Sequence, residues 1–246
     1  MLTKAKMAIV ALVMGVVASG SAYADGLPKS YAAPASDPFT NFQIKVGATG
    51  VFWNNHNDGI YAGSTLQNGW DAGVGNVWLP TATLTYFFNP KLSAELFCCA
   101  ARVNVGGKNA LAGVNLADSW AFPPILTVKY HFDKIGAIRP YVGVGGEYIH
   151  FFSSKSNLAG YDSVKLSDSF GLATQAGFDL ELGRGWSVGL DAKYVWEKTN
   201  LTFTGAGQPT LTTSHHLDPL LVTVNLGYRF NIEDVLGRRT SYEPLK

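Results

Sequence analysis

Along most of the chain the apolar positions recur every second residue rather than every third or fourth. The stretch from Trp186 to Trp196 shows this most clearly. Trp186, Val188, Leu190, Ala192, Tyr194 and Trp196 share one face; Ser187, Gly189, Asp191, Lys193 and Val195 share the other. Neighbouring side chains of a strand point to opposite sides, so the pattern predicts strands with one continuous apolar face. The segments from Phe170 to Leu180 and from Leu220 to Phe230 repeat it. Eight such segments can be marked, at about 42–52, 78–88, 92–101, 124–132, 138–152, 167–181, 186–199 and 217–230. Each is near or above the roughly 9–11 residues that a tilted strand needs to cross a bilayer.

The connections between these segments sort by length. Asn89-Pro90, Asp133 to Ala137 and Leu182 to Gly185 are short. Trp53 to Val77, Arg102 to Pro123, Ser153 to Leu166 and Asn200 to His216 are long. Tight turns at one end and long connections at the other, with an even strand count, are the pattern of an outer-membrane barrel. The expected fold is therefore all-β, an eight-stranded antiparallel transmembrane β-barrel. Aromatics near strand ends agree with headgroup depth: Trp78, Tyr86 and Phe88 in the second segment, Trp186, Tyr194 and Trp196 in the seventh, and Tyr228 and Phe230 in the eighth. A soluble sandwich core also favours aromatics. It gives no reason for charge to be confined to the opposite face, or for the connections to alternate in length.

The N-terminus carries export signals. Lys4 and Lys6 precede an uncharged apolar run from Met7 to Val17, and Ser21-Ala22-Tyr23-Ala24 offers small residues at a cleavage site. The run is shorter than the roughly 20 apolar residues of a membrane-spanning helix. The expected organisation is a signal peptide at 1–24, a periplasmic N-terminal segment at 25–41, the barrel at 42–230 and a C-terminal periplasmic tail at 231–246. Composition agrees: 27 Gly and 13% aromatic residues accompany only 15% charged, against roughly 25% in ordinary soluble domains. With 19 basic and 18 acidic residues, and Lys4 and Lys6 leaving with the peptide, no charge excess speaks for nucleic acid.

At this point a family resemblance enters. Pro123-Pro124 with Tyr130-His131-Phe132 looks like the fourth strand of OmpW-type outer-membrane proteins. Arg139-Pro140-Tyr141-Val142-Gly143-Val144-Gly145, followed by Tyr148 and Phe151-Phe152, resembles the fifth. Asp168-Ser169-Phe170-Gly171 with Gln175-Ala176-Gly177-Phe178-Asp179 resembles the sixth, and Leu217-Asp218-Pro219 with Gly227-Tyr228-Arg229-Phe230 the eighth. The match covers roughly residues 42–230. The resemblance implies a monomeric barrel with a narrow, largely apolar conduit that admits small hydrophobic compounds. It also implies a bacterial outer-membrane location, contact with membrane lipid and lipopolysaccharide, and insertion by the barrel-assembly machinery. The chain departs from the family pattern beyond Phe230, where Asn231 to Lys246, including Arg238-Arg239, follow the last aromatic. The assembly signal would then have to be read internally.

Placing the apolar face toward lipid turns the other face inward. Lys45, Glu95, Lys129, Glu147, Asp179, Asp191 and Arg229 are the expected lumen polar network, with Gln43, His131, Gln175, Glu197 and Asn225 beside them. An eight-stranded barrel is about wide enough for its own side chains or one small ligand, so a paired network is expected and a general diffusion pore is not. The family's constriction maps onto Phe97 and Lys193. One ring and one cation would make an amphipathic neck with room for anionic amphiphiles, unless Lys193 simply pairs with Asp191 or Asp179.

Other chemistry is weaker. Cys98 and Cys99 are adjacent on a strand and read as free apolar side chains. Asn54-Asn55-His56-Asn57-Asp58-Gly59 is a turn-prone polar cluster without the closing Glu of a calcium loop. His215-His216 read as solvated loop residues, and no metal or cofactor is expected. An alternative is a structural or surface-interaction barrel with a plugged lumen. A second is a lipid-modifying enzyme built on His150 with Ser153 or Ser154, but strand phase sets His150 and Ser153 on opposite faces and no GxSxG motif is present.

Overall fold

In the computed structural model, residues 40–54 and 56–231 are described. The expected signal peptide, nearly all of the N-terminal segment and the tail beyond Asn231 lie outside them. The described chain is all-β. In order, the strands are β1 (Phe42–Phe52), β2 (His56–Ala62), β3 (Thr65–Leu66), β4 (Trp70–Val74), β5 (Val77–Asn89), β6 (Leu92–Cys98), β7 (Ala101–Asn109), β8 (Asn115–Phe122), β9 (Ile125–His131), β10 (Ile138–Ser156), β11 (Ser163–Leu166), β12 (Ser169–Gly183), β13 (Trp186–Trp196), β14 (Lys198–Thr204), β15 (Leu211–His216) and β16 (Leu220–Phe230).

Eight of them close a barrel. The antiparallel order β12-β13-β16-β1-β5-β6-β9-β10 returns to β12 through a β10–β12 ladder. Closure pairs every barrel strand on both sides, which is what backbone amides need where no water can bond them. Glycine lets the wall close at its tightest point: a Cβ at Gly145 would lie 1.9 Å from the Leu126 carbonyl oxygen of β9. The short turns at the lower end are built from polar side chains and glycine. The backbone N–H groups of Lys91 and Leu92 both donate to Asn89 Oδ1, at 2.8 and 2.9 Å.

The predicted alternation appears as two faces. Outward positions such as Trp78, Val144, Leu126 and Phe170 are 66%, 56%, 58% and 81% exposed, far beyond what a water-soluble core would allow such large apolar groups. Tyr86, Phe88, Tyr130, Phe132, Trp186 and Tyr228 ring the lower end, and Trp78, Phe122, Phe170 and Trp196 ring the upper.

The four long connections differ from the expectation of loops. They carry β2 to β4, β7 and β8, β11, and β14 and β15. One upper sheet runs β4-β7-β8 onto the upper part of β10, and the other runs β11-β14-β15-β2-β3. Between them lies an apolar core that includes Ile60, Val105, Leu116, Ile149, Leu201 and Phe203. Within the expected turn cluster, His56 to Gly59 instead begin β2, where Gly59 takes a left-handed φ of +98°. The third predicted segment ends at Cys98 and the seventh breaks at Glu197, because both strands hand over there to new upper strands.

An apolar belt against lipid makes a depth-dependent prediction. Val144→Arg, at the middle of the outward face, is expected to destabilise the barrel by about 2–4 kcal/mol in urea unfolding from lipid vesicles, while Val144→Leu stays near the parent. Equal stability of the two variants would mean that this face meets water.

Candidate functional site

The barrel interior has two storeys. In the lower one, inward side chains from β1, β6, β9, β10, β12 and β13 converge as a charge cluster. Lys193 Nζ lies 2.5 Å from Asp191 Oδ1 and 3.1 Å from Glu95 Oε1. Lys129 bonds the other oxygen of Glu95. Gln175 Nε2 donates to Glu95 Oε1 at 2.8 Å and to Asp191 Oδ2 at 2.7 Å, and its carbonyl accepts from the Thr127 hydroxyl at 2.7 Å. Tyr141 donates its hydroxyl to Asp191 Oδ2 at 3.0 Å, and the Lys129 ammonium sits 4.5 Å from its ring centre. Lys45 pairs with Asp179 at 2.6 Å. Three ammonium groups thus meet three carboxylates, all buried. Charges taken out of water demand such balance, since an unpaired one costs several kcal/mol. Beneath the cluster, Gln43 donates to the Ser187 hydroxyl at 3.1 Å, Ser93 and His131 Nε2 lie 2.8 Å apart, and Arg229 lies 4.1 Å over the Phe87 ring. The lower bore is packed.

Phe97 marks the change of storey. The Lys193 ammonium lies 4.7 Å from its ring centre on one side. On the other begins an apolar layer with Val51, Leu79, Ile125, Ala173, Val195 and Leu221. Above that layer is a cavity of about 160 Å³, walled by Trp53, Val77, Cys99, Ala101, Val103, Ala121, Pro123, Ile149 and Pro219 among others. Two carboxyls, Glu147 and Glu197, interrupt its apolar wall. The wall also has a seam. The β5–β6 ladder reaches up only to Ala82–Cys98, and β5 above that point pairs with β1 alone. Gly75, Asn76 and Val77 on one side of the seam, and Cys99 and Ala101 on the other, line the cavity.

The structure brings Lys45, Glu95, Lys129, Asp179, Asp191 and Lys193 together. It sets two expected members apart: Glu147 faces the cavity, and Arg229 lies half-buried near the lower end. Lys193 pairs with Asp191 and Glu95 rather than Asp179, which is taken by Lys45. The ammonium is therefore committed to carboxylates and offers no free charge to an anionic amphiphile. Tyr141 is a missed member. It shares the inward phase of Gly143, Gly145 and Glu147, and those small residues leave the space its ring fills. A Cβ at Gly177 would meet its hydroxyl at 2.7 Å.

A family model described as the OmpW family matches residues 40–230. The chain belongs to the OmpW family. Outer membrane protein W of Salmonella typhimurium is 32% identical over 183 residues, 69% of this chain and 81% of the relative. The crystal structure of the outer membrane protein OprG from Pseudomonas aeruginosa superposes with a TM-score of 0.71 at 29% identity, covering 78% of this chain and 96% of that one. A third relative, the dibenzothiophene metabolism operon protein PahQ of Pseudomonas aeruginosa, is 30% identical over 128 residues, 51% of this chain and 58% of its own. This OmpW-family chain is thus a bacterial outer-membrane barrel protein and not an enzyme. Its His150 bonds Asp168 at 2.8 Å on the outer surface, where Tyr148 donates to the same carboxylate, and Ser154 instead contacts Ser119 at 2.8 Å.

The histidine pair of the OmpW-family barrel corrects another expectation. His215 and His216 lie on β15 in the upper extension, beyond the membrane belt, and His215 is 3% exposed. Burial, with the nearby Lys108 cation adding to it, pushes the His215 imidazole down from 6.5 to about 4. The unfolded segment titrates near 6.5, so the neutral ring's contribution is complete above that pH and is lost as pH falls toward 4. Amide exchange in β15, corrected for intrinsic rates, should quicken from pH 7.5 to pH 5, and His215→Gln should erase the difference. Protection that ignores pH in the parent would contradict this. The charge cluster makes its own prediction. Lys45→Met strands Asp179 and should cost about 3–5 kcal/mol in urea unfolding, and adding Asp179→Leu should restore most of it. A double variant as weak as the single one would show that the pair is not the reason.

Proposed function

We propose that this barrel admits small hydrophobic or amphipathic solutes from outside the cell into the cavity above Phe97, and releases them sideways through the β5–β6 seam. One observation carries the reading: an apolar cavity stands directly on a lower bore filled by paired charges. A solute that enters from above meets a largely apolar chamber, and beneath it a layer it could penetrate only by breaking ion pairs. The unpaired seam gives the alternative exit, into lipid, where an apolar solute is favoured by its transfer free energy. An apolar cavity of roughly 150 Å³ holds a benzene-sized molecule, which matches the observed volume. The name of the relative from a dibenzothiophene metabolism operon is consistent with aromatic solutes.

The packed lower bore also favours a second reading, a structural barrel without transport. Ala121→Trp separates them, since Ala121 is 1% exposed and lines the cavity. Toluene uptake into proteoliposomes should fall to the rate of protein-free vesicles, with the folded-barrel gel mobility retained. Uptake at the parent rate would favour the structural reading.

A further inference from the structure

The two carboxyls of the cavity wall are not explained by passage of hydrocarbons. Glu147 and Glu197 are 4% and 3% exposed, and both line the chamber. Neither forms an ion pair among the described residues. Their side chains hydrogen-bond to each other, an arrangement that requires at least one of the two carboxyls to hold a proton. Glu147 Oε2 and Glu197 Oε1 have no hydrogen-bond partner. Their charged surroundings offer little relief. The Asp218 carboxylate accepts from the Glu197 backbone N–H at 2.9 Å and adds negative charge. Arg102, the cation of the cavity lining, is exposed at its rim. A buried carboxyl pair with two empty acceptor positions is a cost to the fold unless something donates to it.

Resting on the conduit reading above, we infer that the chamber is a binding site for small amphiphiles with an apolar body and a cationic amine head. The Val51, Val103, Ala121 and Leu221 walls take the body, and the ammonium donates to Glu147 Oε2 and Glu197 Oε1. With one carboxyl protonated and the other ionised opposite the ammonium, the complex is neutral. The volume limits the body to about one ring. This reverses the expectation drawn from Lys193: the charge facing the solute is negative.

The test uses the full-length barrel refolded in lipid vesicles, with binding followed by tryptophan fluorescence, since Trp53 lines the chamber. Benzylamine, toluene and benzoate are compared at neutral pH. Benzylamine should bind about tenfold or more tighter than toluene, as charge-assisted hydrogen bonds allow, and benzoate should bind weakest. In Glu147→Gln/Glu197→Gln the preference for the amine should vanish while toluene binding persists; Glu147→Gln alone should reduce it. If toluene binds but benzylamine binds no tighter in the parent protein, the inference fails and the conduit reading stands. If the preference survives in the double variant, the carboxyls are not its source and the inference fails. If no probe binds, both fall.

Discussion

An ammonium held between two carboxylates, Lys193 between Asp191 and Glu95, is the contact on which the lower barrel depends. Closing eight strands leaves a bore too narrow to keep charged groups hydrated. The alternation that gives lipid an apolar face sends the polar residues into that bore, so each charge must find a partner there. Lys129 on the second oxygen of Glu95, Gln175 bridging Glu95 and Asp191, and Tyr141 closing on Asp191 follow from that demand. Specificity in this storey comes from satisfying charge, and the result is a floor rather than a path.

The upper storey answers a different constraint. Above the membrane belt the strands need not hide from water, yet the chain continues as two sheets around an apolar core. The chamber lies where the two regimes meet, between the Phe97 layer and the core of the extension. The strand pairing changes at the same level, since β6 hands over to β7 and β8 to β9 around Pro123-Pro124. The seam is thus a consequence of joining a wall built for lipid to sheets built for water.

The period-two pattern made the barrel legible. All eight barrel strands fall within a few residues of the segments marked by alternation alone, because a lipid face and a packed bore leave no freedom in the phase. The upper strands were not legible, because sandwich sheets carry small and polar residues such as Gly106-Gly107 and Thr212-Thr213 that read as loop. Burial of His215 was hidden for the same reason. The inward charges could be placed on their strands by phase, but phase cannot say which carboxylate meets which lysine. That depends on strand stagger: Glu95 faces Thr127 across one ladder, while Gln175 faces Lys193 across another, and Glu147 rises above them to the chamber. Tyr141 escaped notice because an aromatic among apolar neighbours reads as lipid-facing until the glycines of its own face are counted with it.

The central claim is that an apolar chamber stands on a closed polar floor. Diffraction from crystals soaked in bromobenzene tests it directly through the anomalous signal of bromine. The account predicts a peak between Val51, Val103, Ala121 and Leu221, above the Phe97 ring, and no peak among Lys45, Lys129 and Asp179. Bromine density running down through the lysine–carboxylate cluster, or a chamber that stays empty at saturating bromobenzene, would contradict it.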